Sequence, residues 1–187
     1  MRNGRFGFPS LALSVVLTLG ARELSGQARI ISLTATSASE LSVVVTSGAI
    51  QAMPAVTDNA VNNFPSPVVI QTIWNVQPGQ TNTVNLIAYF TLPAQAMVGA
   101  TTQIPASRIL GRMSTGLPTT FTPINQNGVG GFGTAGGTLR LYSVNVSGTN
   151  KNATRTDNLD LQLNLVGFPT LPAGAYAGVL NLRVVTQ

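Results

Sequence analysis

The chain has 187 residues, of which ten are lysine or arginine and five are aspartate or glutamate, giving a formal net charge of +5. Charged residues make up 8% of it, against about 25% in ordinary soluble domains. It contains no cysteine and no histidine, which removes disulfides, the thiol nucleophile, the commonest general base and the usual zinc ligands.

The N-terminal segment predicts a secretory signal peptide. Arg2 and Arg5 give it a positive start, and the apolar stretch 8–19 is too short to span a bilayer comfortably. Small residues within 26–28 suit a cleavage site after this segment. The alternative is a membrane anchor that stays attached. We therefore expect residues 1–28 to be removed, leaving one domain, residues 29–187, with no stable transmembrane segment.

The basic residues beyond the predicted signal peptide are scattered along the chain. They are Arg29, Arg108, Arg112, Arg140, Lys151, Arg155 and Arg183. Nucleic-acid binding requires a cluster of positive charge, so we expect no nucleic-acid partner.

Extended segments dominate the first half of the predicted domain. Predicted strands cover 29–35, 41–46, 68–76 and 82–91, with a loop-rich passage at 47–67. Gln77-Pro78-Gly79-Gln80 has the composition of a type II turn. Residues 68–91 therefore predict a long hairpin, with both of its faces partly covered.

The middle of the chain is less regular. Residues 93–97 predict one helical turn, and 103–113 an edge strand interrupted by Pro105. A short segment at 119–124 carries Pro123. There follow a glycine-rich loop at 125–137, a strand at 139–147 and a polar turn region at 148–157.

The last thirty residues carry the clearest pattern. Four leucines, Leu159, Leu161, Leu163 and Leu165, alternate with polar residues, which puts them on one face of a strand. After a Pro/Gly turn, residues 176–185 again alternate, with Tyr176, Gly178, Leu180, Leu182 and Val184 on one face. These two runs predict a closing hairpin packed on a core. Tyr176 is either the centre of a tyrosine corner or a simple core aromatic.

The fold class predicted from these elements is all-β. We expect a two-sheet antiparallel immunoglobulin-like β-sandwich of about eight or nine strands, with a barrel as the alternative. The segment 171–180, Leu-Pro-Ala-Gly-Ala-Tyr-Ala-Gly-Val-Leu, resembles the closing strand of bacterial exported β-sandwich proteins of the spore coat protein U and fimbrial-subunit-like group. The resemblance implies a structural or surface-associated role outside the cytoplasm.

Candidate reactive groups are few. Residues 128–133 match G-x-G-x-x-G but lead into a strand, so we expect a flexible connection and no bound nucleotide. Asp157 and Asp160 are the closest acidic pair; they could bind calcium if Asp58 and a neighbouring asparagine converge on them. Otherwise we expect Asp160 on the solvent-exposed face of the strand that carries the alternating leucines, and Asp157 in the preceding turn. Glu40 completes the acidic inventory beyond residue 28.

These considerations assign no catalytic, cofactor-binding or metal-binding residue. We expect a secreted, periplasmic or cell-surface protein without enzymatic activity, which associates with itself or related subunits through poorly charged sheet edges. The alternative is a carbohydrate-binding module. It would use surface aromatics from the set Trp74, Tyr89, Tyr142 and Tyr176. A hydrolase built on carboxylates, or on Lys151 as a base, is the least favoured hypothesis.

Overall fold

The computed structural model describes residues 29–36, 41–76 and 83–187. The strands are β1 (Arg29–Thr36), β2 (Leu41–Ser47), β3 (Ile50–Met53), β4 (Val61–Asn63), β5 (Val68–Asn75), β6 (Thr83–Tyr89), β7 (Met97–Val98), β8 (Gln103–Ile104), β9 (Ile109–Met113), β10 (Thr122–Pro123), β11 (Thr138–Asn145), β12 (Asn152–Asn164) and β13 (Tyr176–Thr186). Two 3-10 turns, Pro93–Gln95 and Ala106–Arg108, are the helices of the described ranges, and neither is long and apolar enough to cross a membrane.

The strands form two sheets that pack face to face. One has seven strands in the order β11-β6-β13-β1-β3, with β7 paired to β13 and β8 paired to β7. The other has six, in the order β10-β9-β12-β5-β2, with β4 added beside β12. Every pairing is antiparallel except β1 with β13, which is parallel. The prediction of an all-β two-sheet sandwich is confirmed.

The alternating leucines form the centre of the core. Leu159, Leu161, Leu163 and Leu165 are at most 2% exposed. Across from them, Tyr176, Leu180 and Leu182 on β13 are buried to the same degree. Because successive strand residues point to opposite faces, the period of two was sufficient to predict this burial.

The two predicted hairpins are wrong. β12 belongs to the six-stranded sheet and β13 to the seven-stranded sheet, so the closing strands face each other across the core. In the same way β5 pairs with β2 and β12, while β6 pairs with β11 and β13. A hydrophobic pattern defines which face of a strand is buried, but it does not define which sheet the strand joins. In a sandwich, two consecutive strands can bury their apolar faces in the same core from opposite sheets. The predicted turn at 77–80 lies outside the described residues.

Other elements differ from the prediction in detail. The passage 47–67 contains the short strands β3 and β4, and short strands of this kind raise the number to thirteen in the described ranges. The region 148–157 is not all turn, because β12 begins at Asn152 and Asp157 lies within it. Pro105 falls between β8 and β9, and β9 pairs on both sides instead of forming an edge. The helical turn at Pro93–Gln95 is confirmed.

The outer face of β6 is covered by the glycine-rich loop. Ile87 on this face is fully buried, and its register partner on β13 is Arg183. The Arg183 guanidinium lies 3.9 Å from the centroid of the Phe132 ring, which belongs to the loop. The loop therefore lies against the outer face of the seven-stranded sheet, and both faces of β6 are covered, whereas β5, the first strand of the predicted hairpin, exposes Ile73 and Asn75.

Candidate functional site

Within residues 29–36, 41–76 and 83–187, two strand edges with no further strand paired to them lie together on one side of the sandwich, which we call the open side. β2 is the last strand of one sheet and β3 the last strand of the other, and two residues, Gly48 and Ala49, connect them. Gly48 has a φ of +73°, and a Cβ atom there would overlap the carbonyl oxygen of Pro67. A residue without a side chain is therefore needed for the chain to pass between the two layers at this corner.

The open side carries no charge on its edge strands. Residues 41–47 and 50–53 include no aspartate, glutamate, lysine or arginine. Val44 on β2 is 45% exposed and Ile50 on β3 is 49% exposed. Soluble proteins usually protect sheet edges with charged side chains, proline or bulges. Here, in the described edges, the protection is a single register shift in β2 between Val45 and Ser47.

The opposite side of the sandwich, which we call the covered side, has loop residues paired with part of its β11 edge. The outer edge of β11 exchanges two backbone hydrogen bonds between Thr138 and Gln126, at 2.7 and 3.2 Å. Further along, the Gln126 side-chain oxygen accepts from the Arg140 backbone N–H at 3.1 Å. β10, the neighbouring edge, is two residues long and contains Pro123. The two sides therefore differ: loop residues pair with the β11 edge on one, whereas no described strand pairs beyond β2 and β3 on the other.

A buried ion pair fixes the loop of residues 114–118 on this covered side. Asp157 has a side chain 1% exposed and accepts from Arg155 at 2.6 Å (Nε) and 2.8 Å (Nη2). Arg155 Nη2 also donates to the Thr115 carbonyl at 2.5 Å, and the Thr115 hydroxyl donates to Asp157. The hydrogen bond to Asp157 raises the pKa of Arg155 above its usual value.

The same guanidinium joins the two sheets. Its central carbon lies 4.7 Å from the centroid of the Tyr142 ring, which belongs to β11 of the seven-stranded sheet. Arg155 itself lies on β12 of the six-stranded sheet. Cation–π contacts of this kind are most favourable where water is partly excluded. The cluster of Arg155, Asp157, Thr115 and Tyr142 thus connects both layers and one loop.

The structure separates the acidic residues that were considered for calcium. Asp157 faces the core, whereas Asp160 faces outward, as expected, and pairs with Arg112 at 2.7 Å. Asp58 accepts from the Leu171 backbone N–H at 3.3 Å, in the crossover between the last two strands. Glu40 lies outside the described residues. Within the described ranges no three acidic side chains are grouped to hold a metal ion.

The aromatic candidates for sugar stacking are largely buried. Trp74, Tyr142 and Tyr176 are at most 4% exposed, and Tyr89 is half-buried. Trp74 Nε1 donates to the Asn150 carbonyl at 2.8 Å. The Tyr176 hydroxyl donates to the Pro172 carbonyl at 3.2 Å, so the tyrosine-corner interpretation is confirmed. These four residues do not form an exposed stacking face.

The remaining motifs lie in turns. Within 128–133, Val129 and Phe132 exchange two backbone hydrogen bonds at 2.8 and 2.9 Å, which closes a tight turn. The chain then enters β11, so the helix N-terminus that a pyrophosphate requires does not follow. Lys151 is exposed. The entry of this segment into a strand and the exposed position of Lys151 agree with the sequence-based expectation.

Sequence reasoning missed a cleft beside the edge of β11. It has a volume of about 270 Å³ and is lined by Leu117, Pro118, Gln126, Arg140, Tyr142 and Ser143. Residues from three separate segments form it, and in the sequence Arg140 was one of several scattered basic residues. The position of β11 at the end of a sheet is what brings these residues together.

Tyr142 makes stability depend on pH in the alkaline range. Burial raises the pKa of Tyr142 to about 12, against smaller opposing effects, the largest from the Thr72 hydroxyl. Since the unfolded value is about 10, the unfolded state ionises first, and the stability due to neutral Tyr142 is lost as pH rises from about 10 to 12.

Replacing Tyr142 by phenylalanine should remove this loss. The Tyr142 hydroxyl has no hydrogen-bond partner at bonding geometry among the described residues, so Tyr142→Phe should cost under about 1 kcal/mol at neutral pH. Urea unfolding at about pH 8 and about pH 11 measures the difference between the two proteins. We expect the wild type to lose more stability than the variant between these pH values. Parallel losses would show that Tyr142 does not titrate in this way.

No protein-family model matches this sequence, and no curated protein matches it at significant similarity.

Proposed function

We propose that this chain is an exported, non-enzymatic structural protein that associates with a second copy of itself through the open side. Export is supported by the N-terminal segment with its positive start and short apolar stretch. The observation that carries the proposal is the pair of adjacent, uncharged edges formed by β2 and β3, to which no other strand of the described part of the chain is paired. An edge of this kind is a template for pairing with another strand.

The covered side limits what form the association takes. A fibre needs two different contact surfaces on each copy, whereas a twofold dimer uses the same surface twice. Gln126 pairs with the first part of the β11 edge, at Thr138 and Arg140, which disfavours continued pairing from that side. A twofold axis perpendicular to the sheets would join β2 to β2 and β3 to β3, both antiparallel. Each sheet would then continue across the dimer.

Val44 gives the test of this arrangement. It is the central residue of β2, so in an antiparallel β2–β2 pair it lies close to its own copy. Val44→Lys would place two like charges there, which is expected to weaken association by about tenfold or more. Sedimentation equilibrium over a range of protein concentrations measures the dissociation constant.

Two further variants make the result specific. Ile73→Lys is the matched control, because Ile73 is 42% exposed in the same sheet but lies on β5, which is paired on both sides. It should leave association nearly unchanged. Mixing Val44→Lys with Val44→Glu should restore association, because opposite charges then meet. A wild type that stays monomeric at every concentration, or equal effects at positions 44 and 73, would rule out the proposal.

A further inference from the structure

The cleft beside β11 presents hydrogen-bond donors. The side-chain oxygen of Gln126 is occupied by the Arg140 backbone N–H, so the amide NH₂ is the part of Gln126 left to face a ligand. The Arg140 side chain is exposed and is a pure donor. Ser143, also exposed, adds a hydroxyl. Three side chains from one edge can therefore donate toward the same small volume.

The charge of the cleft is positive and uncompensated. None of the residues that line it is acidic. Arg140 forms no ion pair within the described ranges, whereas Arg112 and Arg155 each pair with an aspartate. Asp157, near Tyr142, is the nearest buried carboxylate to this wall and is neutralised by Arg155. A guanidinium without a partner binds planar carboxylates well, since both oxygens can accept from it.

The opposite wall is apolar and held in place. Leu117, 70% exposed, and Pro118 form it. Their loop is fixed at both ends: the Met113 N–H donates to the Pro118 carbonyl at 2.8 Å, and Arg155 holds the Thr115 carbonyl. A wall that is already positioned lowers the entropy lost when a ligand binds.

We propose that this cleft binds a small organic carboxylate. Arg140, the Gln126 amide and the Ser143 hydroxyl hold the carboxylate, and Leu117 with Pro118 contacts the apolar side of the molecule. Such a carboxylate could come from a fatty acid or from an acidic sugar, and the shared chemistry is the anionic carboxyl group beside a less polar body. This site lies on the covered side and is independent of the association proposed above.

The test is an NMR titration of the purified protein with hexanoate and with D-glucuronate. Each has a neutral counterpart, hexanamide and D-glucuronamide. We expect at least one acid to shift the amide signals of Gln126, Ser143 and Leu117 in a saturable way, with its amide counterpart at least about tenfold weaker. The acid whose titration saturates shows whether the cleft prefers the carboxylate of a fatty acid or that of an acidic sugar.

Gln126→Glu is the sharpest variant. It keeps the oxygen that accepts from the Arg140 backbone N–H but replaces the donor amide by an anion that pairs with the Arg140 side chain. Binding should fall by about tenfold or more in Gln126→Glu and in Arg140→Gln. Lys151→Gln removes one positive charge elsewhere on the surface and should leave binding unchanged. Shifts with neither acid, equal shifts with the amides, or equal losses in Arg140→Gln and Lys151→Gln would overturn the proposal.

Discussion

Asp157→Asn is expected to lower the free energy of unfolding by about 3 kcal/mol. Removing one partner of a buried ion pair leaves the other charge without compensation, and such changes typically cost 3–5 kcal/mol. We take the lower end because the Arg155 side chain is 26% exposed and can recover some hydration. Asparagine has nearly the same shape, so no cavity accompanies the loss of charge. Urea unfolding at neutral pH measures the change.

Asp160→Asn is the matched control on the same strand. Asp160 and its partner Arg112 have side chains 31% and 43% exposed, and solvent screens such pairs. The expected cost is about 0.5 kcal/mol. If the two variants lose the same stability, the Asp157 cluster does not stabilise the fold more than a surface ion pair does.

Gly178→Ala is expected to cost about 3 kcal/mol, at the upper end for an overpacked site. A Cβ atom at this position would overlap the Ala96 carbonyl oxygen and lie 3.2 Å from Met97 Cγ. The overlap is with the backbone, which cannot move aside without shifting β7 away from its partner Ala177 on β13. Chemical denaturation gives the change in stability.

Gly148→Ala provides the comparison for this glycine. No heavy atom lies within 4 Å of a Cβ built there, and its φ is outside the left-handed region. Its effect should stay within about 0.5 kcal/mol. If the two variants lost the same amount of stability, β13 would tolerate a side chain at position 178. That result would contradict the close packing of Ala96 against Gly178.

The fold class could be predicted because it depends on a local property. The leucines at 159, 161, 163 and 165 alternate, and alternation alone defines a strand with one buried face. The partner of that strand is a non-local property. Nothing between residues 165 and 175 distinguishes a hairpin from a crossover to the other layer, which explains why the closing strands were paired wrongly.

The buried ion pair was missed for a related reason. Arg155 and Asp157 share the parity of Leu159, so the core-facing pattern continues through two charged residues. Because isolated charges are rarely buried, this stretch predicted a solvated turn. The two charges compensate each other, and Thr115 and Tyr142, which are distant in sequence, complete the surroundings of the pair. The strand topology brings Thr115 and Tyr142 next to Arg155 and Asp157. It also forms the cleft around Arg140.

The sequence predicted that some sheet edges carry few charges, but it did not predict which strands form those edges. The low charge content indicated weakly protected edges before any strand order was known. Which strands are edges follows from the pairing: β2 and β3 end the two sheets, although the sequence placed β3 inside a loop. The short connection through Gly48 brings the two edges together on one side.

Hydrogen–deuterium exchange at two protein concentrations tests the association most directly. Backbone amides that become hydrogen-bonded between copies exchange more slowly when the complex is populated. At high concentration we predict slower exchange in Leu41–Ser47 and Ile50–Met53, with no change in Thr138–Asn145 on the covered side. Exchange that is the same at both concentrations in β2 and β3, or slowing confined to β11, would contradict the account.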